Sequence, residues 1–307
     1  MRVLFYGTPE FAVPSLEALV GEGFDVAAVV TRPDRPTGRH RSQAHPSAVK
    51  VAAEAEELPV LQPERPGAPD FVEAARALAP DLAIVVAYGH ILPQALLDVP
   101  RLGSVNVHAS LLPALRGAAP IQRAILGGCT ETGITIMRMD AGMDTGPILH
   151  QVATPIAPEE TGGELSARLA ELGAEALIEA LTLMEETGLE PRPQDHARAT
   201  LAPKIARDEE RLDWACPAEL VARKIRAFDP RPGAWTSCRS RDLKLFGAGV
   251  VAQAGEPGLV LAAGDVLRVA CGTDAVTVAE VQPAGRARMA ARAFVNGRGV
   301  AVGDRLS

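Results

Sequence analysis

Leu82-Ala83-Ile84-Val85-Val86-Ala87 is an unbroken apolar run, bounded by Asp81 before it and by Gly89 shortly after. A strand with one wet face alternates polar and apolar residues. A run with no polar member is the pattern of a central strand covered on both faces. Working outward, residues 3–6 and 26–30 read as buried strands, with helices over 14–20, 47–57 and 69–78. After the central run come a strand around Asn106, a helix over 120–126 and a strand over 133–139. This rhythm predicts an α/β fold with a mostly parallel, doubly wound sheet. Ligands of such sheets sit beyond the carboxyl ends of the strands, and Asn106 and His108 lie near the end of theirs.

A long helical segment, 164–186, closes a first domain of residues 1–186. Residues 187–204 are rich in proline and polar residues without periodicity, and read as a linker. Residues 205–307 begin with a helix over 217–228 and continue as short apolar runs separated by glycine. That pattern predicts a small antiparallel barrel or sandwich, and oligonucleotide-binding (OB-like) barrels fit it.

The 307 residues are 47% apolar and 22% charged, the mix of a soluble globular protein with material for a core. No apolar run reaches the ~18 residues of a membrane span, and the first residues read as a strand rather than a signal peptide. Cys129, Cys216, Cys238 and Cys271 are scattered, without the paired spacing of zinc or redox motifs. A cytoplasmic, metal-free protein with reduced thiols is the expectation. Gly7-Thr8-Pro9-Glu10-Phe11 lacks the Gly-x-Gly-x-x-Gly fingerprint, so the sheet by itself does not license a nicotinamide cofactor. The net charge of −7 divides into −10 for residues 1–204 and +3 for 205–307. Arg286, Arg288, Arg292 and Arg298 run without an acidic neighbour until Asp304. This suits a polyanion met by one end, and equally an ordinary solvated surface.

Only two asparagines occur, and one stands in Ser104-Val105-Asn106-Val107-His108-Ala109-Ser110. The two-residue period puts Asn106 and His108 on one face of a strand. An amide donor beside an imidazole suits a reaction in which an oxyanion develops while a proton moves. A half-buried strand with satisfied polar residues has the same pattern. The turn-rich stretch 111–117 follows, able to close around a ligand. An imidazole acting as a base needs a partner, and Asp140 and Asp144 are rivals in a glycine-rich loop after a strand. Residues 31–45 form a long aperiodic loop holding Arg32, Arg35, Arg39 and Arg41 against the single acid Asp34, a composition fit for phosphate contacts.

Asn106-Val107-His108, Ser110-Leu111-Leu112-Pro113 and Arg116-Gly117-Ala118-Ala119-Pro120-Ile121 together resemble the signature of the folate-dependent formyltransferase family. Gly7-Thr8-Pro9-Glu10-Phe11-Ala12 and Arg32-Pro33-Asp34-Arg35-Pro36-Thr37-Gly38-Arg39 resemble the branch that acts on methionyl-tRNA. Ala202-Pro203-Lys204-Ile205, Leu212-Asp213-Trp214 and Ile225-Arg226-Ala227-Phe228 resemble that branch's C-terminal barrel. The resemblance implies a Rossmann-like catalytic domain followed by an OB-like tRNA-binding domain. It implies a monomer that moves a formyl group from 10-formyltetrahydrofolate to the amine of initiator methionyl-tRNA, with no metal. It assigns Asn106, His108 and Asp144 to catalysis, and Ser110, Leu111, Leu112, Pro113, Gly89 and Ile91 to the folate slot. Arg35, Arg39 and Arg41 would meet the tRNA. A formyltransferase acting on a small amine, such as a purine precursor or an amino sugar, is the alternative. Two stretches depart from the pattern: Ser42-Gln43-Ala44-His45, and Asp229-Pro230-Arg231-Pro232 where relatives usually show Asn-Pro-Trp-Pro.

Overall fold

In the computed structural model, which describes residues 1–36, 44–186 and 188–307, the apolar run becomes a strand in a seven-stranded sheet. The strands of this first unit are β1 (Arg2–Gly7), β2 (Asp25–Val30), β3 (Arg35–Pro36), β4 (Ala44–His45), β5 (Val60–Leu61), β6 (Leu82–Val86), β7 (Ser104–His108), β8 (Glu131–Arg138) and β9 (Ile148–Pro155). Their order across the sheet is β5-β2-β1-β6-β7-β8-β9, with β3 and β4 forming a separate hairpin. Pairing is parallel from β5 to β7, and β8 runs antiparallel to β7. The chain winds outward from β1 in both directions, as a doubly wound sheet does. Every residue of β6 is buried, the physical counterpart of its unbroken apolar sequence.

Helices connect the parallel strands. Ser47 caps the helix Ala48–Ala55 by accepting from the Lys50 N–H over 3.0 Å. The long helix Gly162–Glu186 starts with a reciprocal box: the Glu164 carboxylate accepts from the Thr161 N–H, and the Glu164 N–H donates back to Thr161 Oγ1. Donation from the Thr161 N–H and from its hydroxyl to the carboxylate holds the Glu164 carboxyl below its usual pKa. The same helix lies close over β7, since a Cβ added to Gly173 would sit 3.1 Å from Val107 Cγ1. Among the described residues no helix is long and apolar enough to cross a membrane.

The chain divides into two units, the first formed by residues 1–117, 131–154 and 166–202, the second by 118–130, 155–165 and 203–307. Two sequence readings differ from this. The stretch taken for a linker belongs, up to Ala202, with the first unit, because Arg192 bridges Ile148 and Leu201 bridges Arg116. The helix Pro120–Leu126 belongs with the second unit, where Arg123 makes a forked bond to Glu209 over 2.7 and 3.0 Å.

The second unit contains β10 (Trp235–Cys238), β11 (Arg241–Val251), β12 (Val260–Ala263), β13 (Leu267–Ala270), β14 (Ala275–Pro283) and β15 (Met289–Ala290). They form an antiparallel sheet in the order β10-β11-β14-β13-β12, with β15 on β14. Bridges from Leu306 to Cys238 and from Arg305 to Leu259 carry the last residues between the two outer strands. The expected barrel character therefore comes from this final segment acting as a stave.

Candidate active site

Asn106 and His108 share a face of β7, opposite to the one that carries Val107 toward the helix Gly162–Glu186. In register, Asn106 lies between Val85 of β6 and Met137 of β8, and His108 lies beside Thr135. The Asn106 amide is half-buried and has no side-chain hydrogen bond among the described residues.

His108 is only 6% exposed, and its Nε2 lies 3.0 Å from the Leu115 carbonyl oxygen. A carbonyl only accepts, so Nε2 carries the hydrogen, and in the neutral ring the lone pair then sits on Nδ1. Nδ1 is 3.7 Å from Asp144 Oδ2, too far for a hydrogen bond but close enough to pair once a proton arrives. Asp144 adopts a left-handed φ of 54°, a conformation that aspartate tolerates better than most residues. Its Oδ2 accepts from the Gly117 N–H over 2.8 Å.

The two loop carboxylates are placed differently. Asp140 Oδ1 accepts from the Gly142 N–H at 3.0 Å and from Thr145 Oγ1 at 2.7 Å, closing the turn from outside. Asp144 is the one that reaches His108.

The loop after β7 is held by hydrogen bonds within it and from β8 and β9. Ser110 Oγ donates to the Ala114 carbonyl at 2.6 Å, and Thr135 Oγ1 donates to the Ser110 carbonyl at 2.6 Å. Gln151 Nε2 donates to the Leu112 carbonyl, while Leu112 packs against Met137 and Ile148. The side chains of Ser110 and Leu112 thus face inward, and Leu111 and Pro113 are half-buried at the surface.

Further support comes from the supposed linker. Thr200 receives the Leu115 and Arg116 N–H groups, and the Ala202 N–H donates to the Arg116 carbonyl. Arg116 is buried, its guanidinium donating to Gln194 Oε1 at 3.1 and 2.6 Å and to His196 Nδ1 at 3.1 Å. Sequence reasoning did not single out Thr135, Gln151, Gln194 or Thr200. Each acts through a contact distant in the chain, and no local pattern marks it.

At the end of β6, Thr8 Oγ1 donates to the Tyr88 carbonyl and ties the ends of β1 and β6 together. Tyr88 belongs to the core, with burial pushing its phenol up to about 12. Gly89 is exposed at a φ of 80°, and Ile91 is 93% exposed. Arg32 Nε donates to His90 Nε2 at 3.1 Å. At the base of the arginine loop, Lys50 Nζ donates to Asp34 Oδ2 (2.7 Å) and Gln62 Oε1 (3.0 Å), and Gln62 Nε2 donates to Asp34 Oδ1 and to the Arg32 carbonyl. The Lys50 contact holds the Asp34 carboxyl below its usual pKa. The loop's single acid is therefore occupied at its base. The Arg35 backbone pairs with His45, whereas Arg39 and Arg41 lie outside the described residues.

In the second unit the supposedly bare arginine run is partly neutralised from afar. Arg288 pairs with Asp229 and Glu280 and lies over the Phe246 ring at 4.1 Å, and Arg292 pairs with Asp265. The Asp229 departure has a physical counterpart here, a buried carboxylate matched by a guanidinium.

Residues 1–181 match the formyl transferase family, and residues 204–299 match the formyl transferase C-terminal domain. A methionyl-tRNA formyltransferase of Aromatoleum aromaticum is 50% identical over the whole chain and 97% of its own length. One from Thiobacillus denitrificans is also 50% identical, over the whole chain and 99% of its own length. Among solved structures, HypX of Aquifex aeolicus in complex with tetrahydrofolic acid shares the fold, with a TM-score of 0.68 at 23% identity, covering 97% of this chain and 47% of that one. With both of its domains matched and relatives at half identity end to end, this chain belongs to the formyl transferase family.

Proposed function

We propose that the chain transfers the formyl group of 10-formyltetrahydrofolate to the α-amino group of methionine carried on initiator tRNA, as a cytoplasmic monomer. The observation that carries this reading is the His108–Asp144 pair beside the unengaged Asn106 amide, all supplied by one chain. The substrates follow the relatives named methionyl-tRNA formyltransferase.

The neutral amine attacks the formyl carbon, forming a C–N bond and pushing the carbonyl electron pair onto oxygen. Asn106 donates its amide N–H to that oxygen as its charge grows. His108 Nδ1 takes the amine's proton, and the new imidazolium faces Asp144. Collapse breaks the bond from the formyl carbon to the folate nitrogen, which leaves with the electron pair and receives the proton from Nδ1. Formyl-methionyl-tRNA and tetrahydrofolate result. Gly89 and the exposed Ile91, after β6, and the half-buried Leu111 and Pro113, after β7, are assigned to an apolar slot for a flat pterin. Ser110 and Leu112 serve by holding the second wall. Arg35, Arg39 and Arg41 are assigned to the tRNA backbone.

The test is formation of formyl-methionine from 10-formyltetrahydrofolate and charged initiator tRNA, followed across a salt series. Transfer should occur and tRNA affinity should fall steeply with salt. Transfer to a free small amine with none to tRNA would overturn the reading.

A further inference from the structure

We infer that Gln194 is a positioning residue for Asp144 and, through it, for His108; the inference rests on the catalytic reading above. Gln194 is 6% exposed. Its Oε1 accepts twice from the Arg116 guanidinium, at 3.1 and 2.6 Å. A guanidinium can only donate, so the amide cannot be flipped: oxygen must face Arg116. Nε2 is thereby turned toward the loop after β8, where it donates to the Asp144 carbonyl at 2.9 Å and the Gly146 carbonyl at 2.7 Å.

The loop needs such a hold. Asp144 stands in the left-handed region, with a φ of 54°. Gly146 runs so close to β8 that an added Cβ would overlap the Arg138 carbonyl. Gln194 fixes the backbone on both sides of Thr145, and the Gly117 N–H fixes the Asp144 carboxylate. Together they set the 3.7 Å separation from His108 Nδ1. Arg116 orients the amide and is itself buried with no carboxylate in ion-pair reach among the described residues, so its role in the loop passes through Gln194.

The experiment is a mutant cycle between Gln194→Glu and Asp144→Asn in the full chain, measured by steady-state formyl transfer to charged tRNA. Glutamate keeps an acceptor for Arg116 but cannot donate to the two carbonyls. The expected result is at least a tenfold fall in kcat with both KM values within twofold. In the Asp144→Asn background the same change should alter the rate less than twofold. Normal kcat in Gln194→Glu, or an equal loss in both backgrounds, overturns the inference while leaving the catalytic reading intact. A fully active Asp144→Asn variant instead sinks the catalytic reading, and the inference with it. Should Gln194→Glu not fold, Gln194→Asn, which keeps both chemistries but not the reach, takes its place in the cycle with the same expected outcome.

Discussion

The backbone N–H of Gly117 meets the Asp144 carboxylate at 2.8 Å, although the two stand twenty-seven positions apart in the chain. Gly117 can stand there because it has no side chain: its φ is 123°, and an added Cβ would lie 2.7 Å from the Ala202 carbonyl oxygen. Gly117→Ala is therefore expected to displace the donor from Asp144. Formyl transfer should fall at least tenfold and the unfolding midpoint should drop; unchanged turnover would separate this contact from catalysis.

Asn106→Ala removes the proposed oxyanion donor and leaves β7 otherwise intact. Loss of such a donor typically costs about 10²–10³ in rate. The expected outcome is that loss in kcat with tRNA binding unchanged, measured by single-turnover kinetics alongside filter binding. Normal turnover would remove Asn106 from the mechanism.

Lys50→Met should act at a distance from the chemistry. Without Lys50, Asp34 loses its cation at the base of the arginine loop and becomes free to pair with the loop's own arginines. The KM for charged tRNA should rise severalfold, and the salt dependence of binding should flatten, with the KM for the folate unchanged. Equal effects on both substrates would point to a general loss of fold.

Glu209→Gln tests the second unit by pH. Hydrogen bonds from Arg123 and from the Ala206 N–H hold the Glu209 carboxyl down at about 2, against 4.5 when free. A depressed carboxyl stabilises above its unfolded value and loses that contribution as pH falls toward the folded value. Because Glu209 is more than a third exposed, solvent reduces the effect to about 1 kcal/mol. The variant should be less stable than the parent at pH 7, with the gap closing as pH falls from about 4.5 to about 2 in denaturant titrations. A gap independent of pH would refute the ion-pair account.

The sheet was legible because β6 and β7 announce themselves locally, one by an unbroken apolar run and the other by alternation. β9 escaped notice because only Ile148 and Leu149 are buried, so the rest of this edge strand has no apolar face to declare it. β11 escaped because Gly247 and Gly249 interrupt its pattern. At the site, Asn106 and His108 could be paired by period alone. That Asp144 rather than Asp140 lies near His108 follows from a fold of the loop that its glycine-rich sequence does not specify. The arginines near the C-terminal end looked bare because Asp229, Asp265 and Glu280 lie elsewhere in the chain. Gln194 stands in an aperiodic, proline-rich stretch, where polarity normally means solvent.

That stretch also changes where the chain can be cut. The family match of the first domain stops at residue 181, and a designer guided by helix ends would truncate at 186. Such a fragment would keep Asn106, His108 and Asp144 and lose Gln194, Thr200 and the Ala202 N–H, leaving the loops around His108 without their outer brace. An excised catalytic domain, a domain swap between relatives or a split reporter built on this fold should carry its N-terminal piece through Ala202.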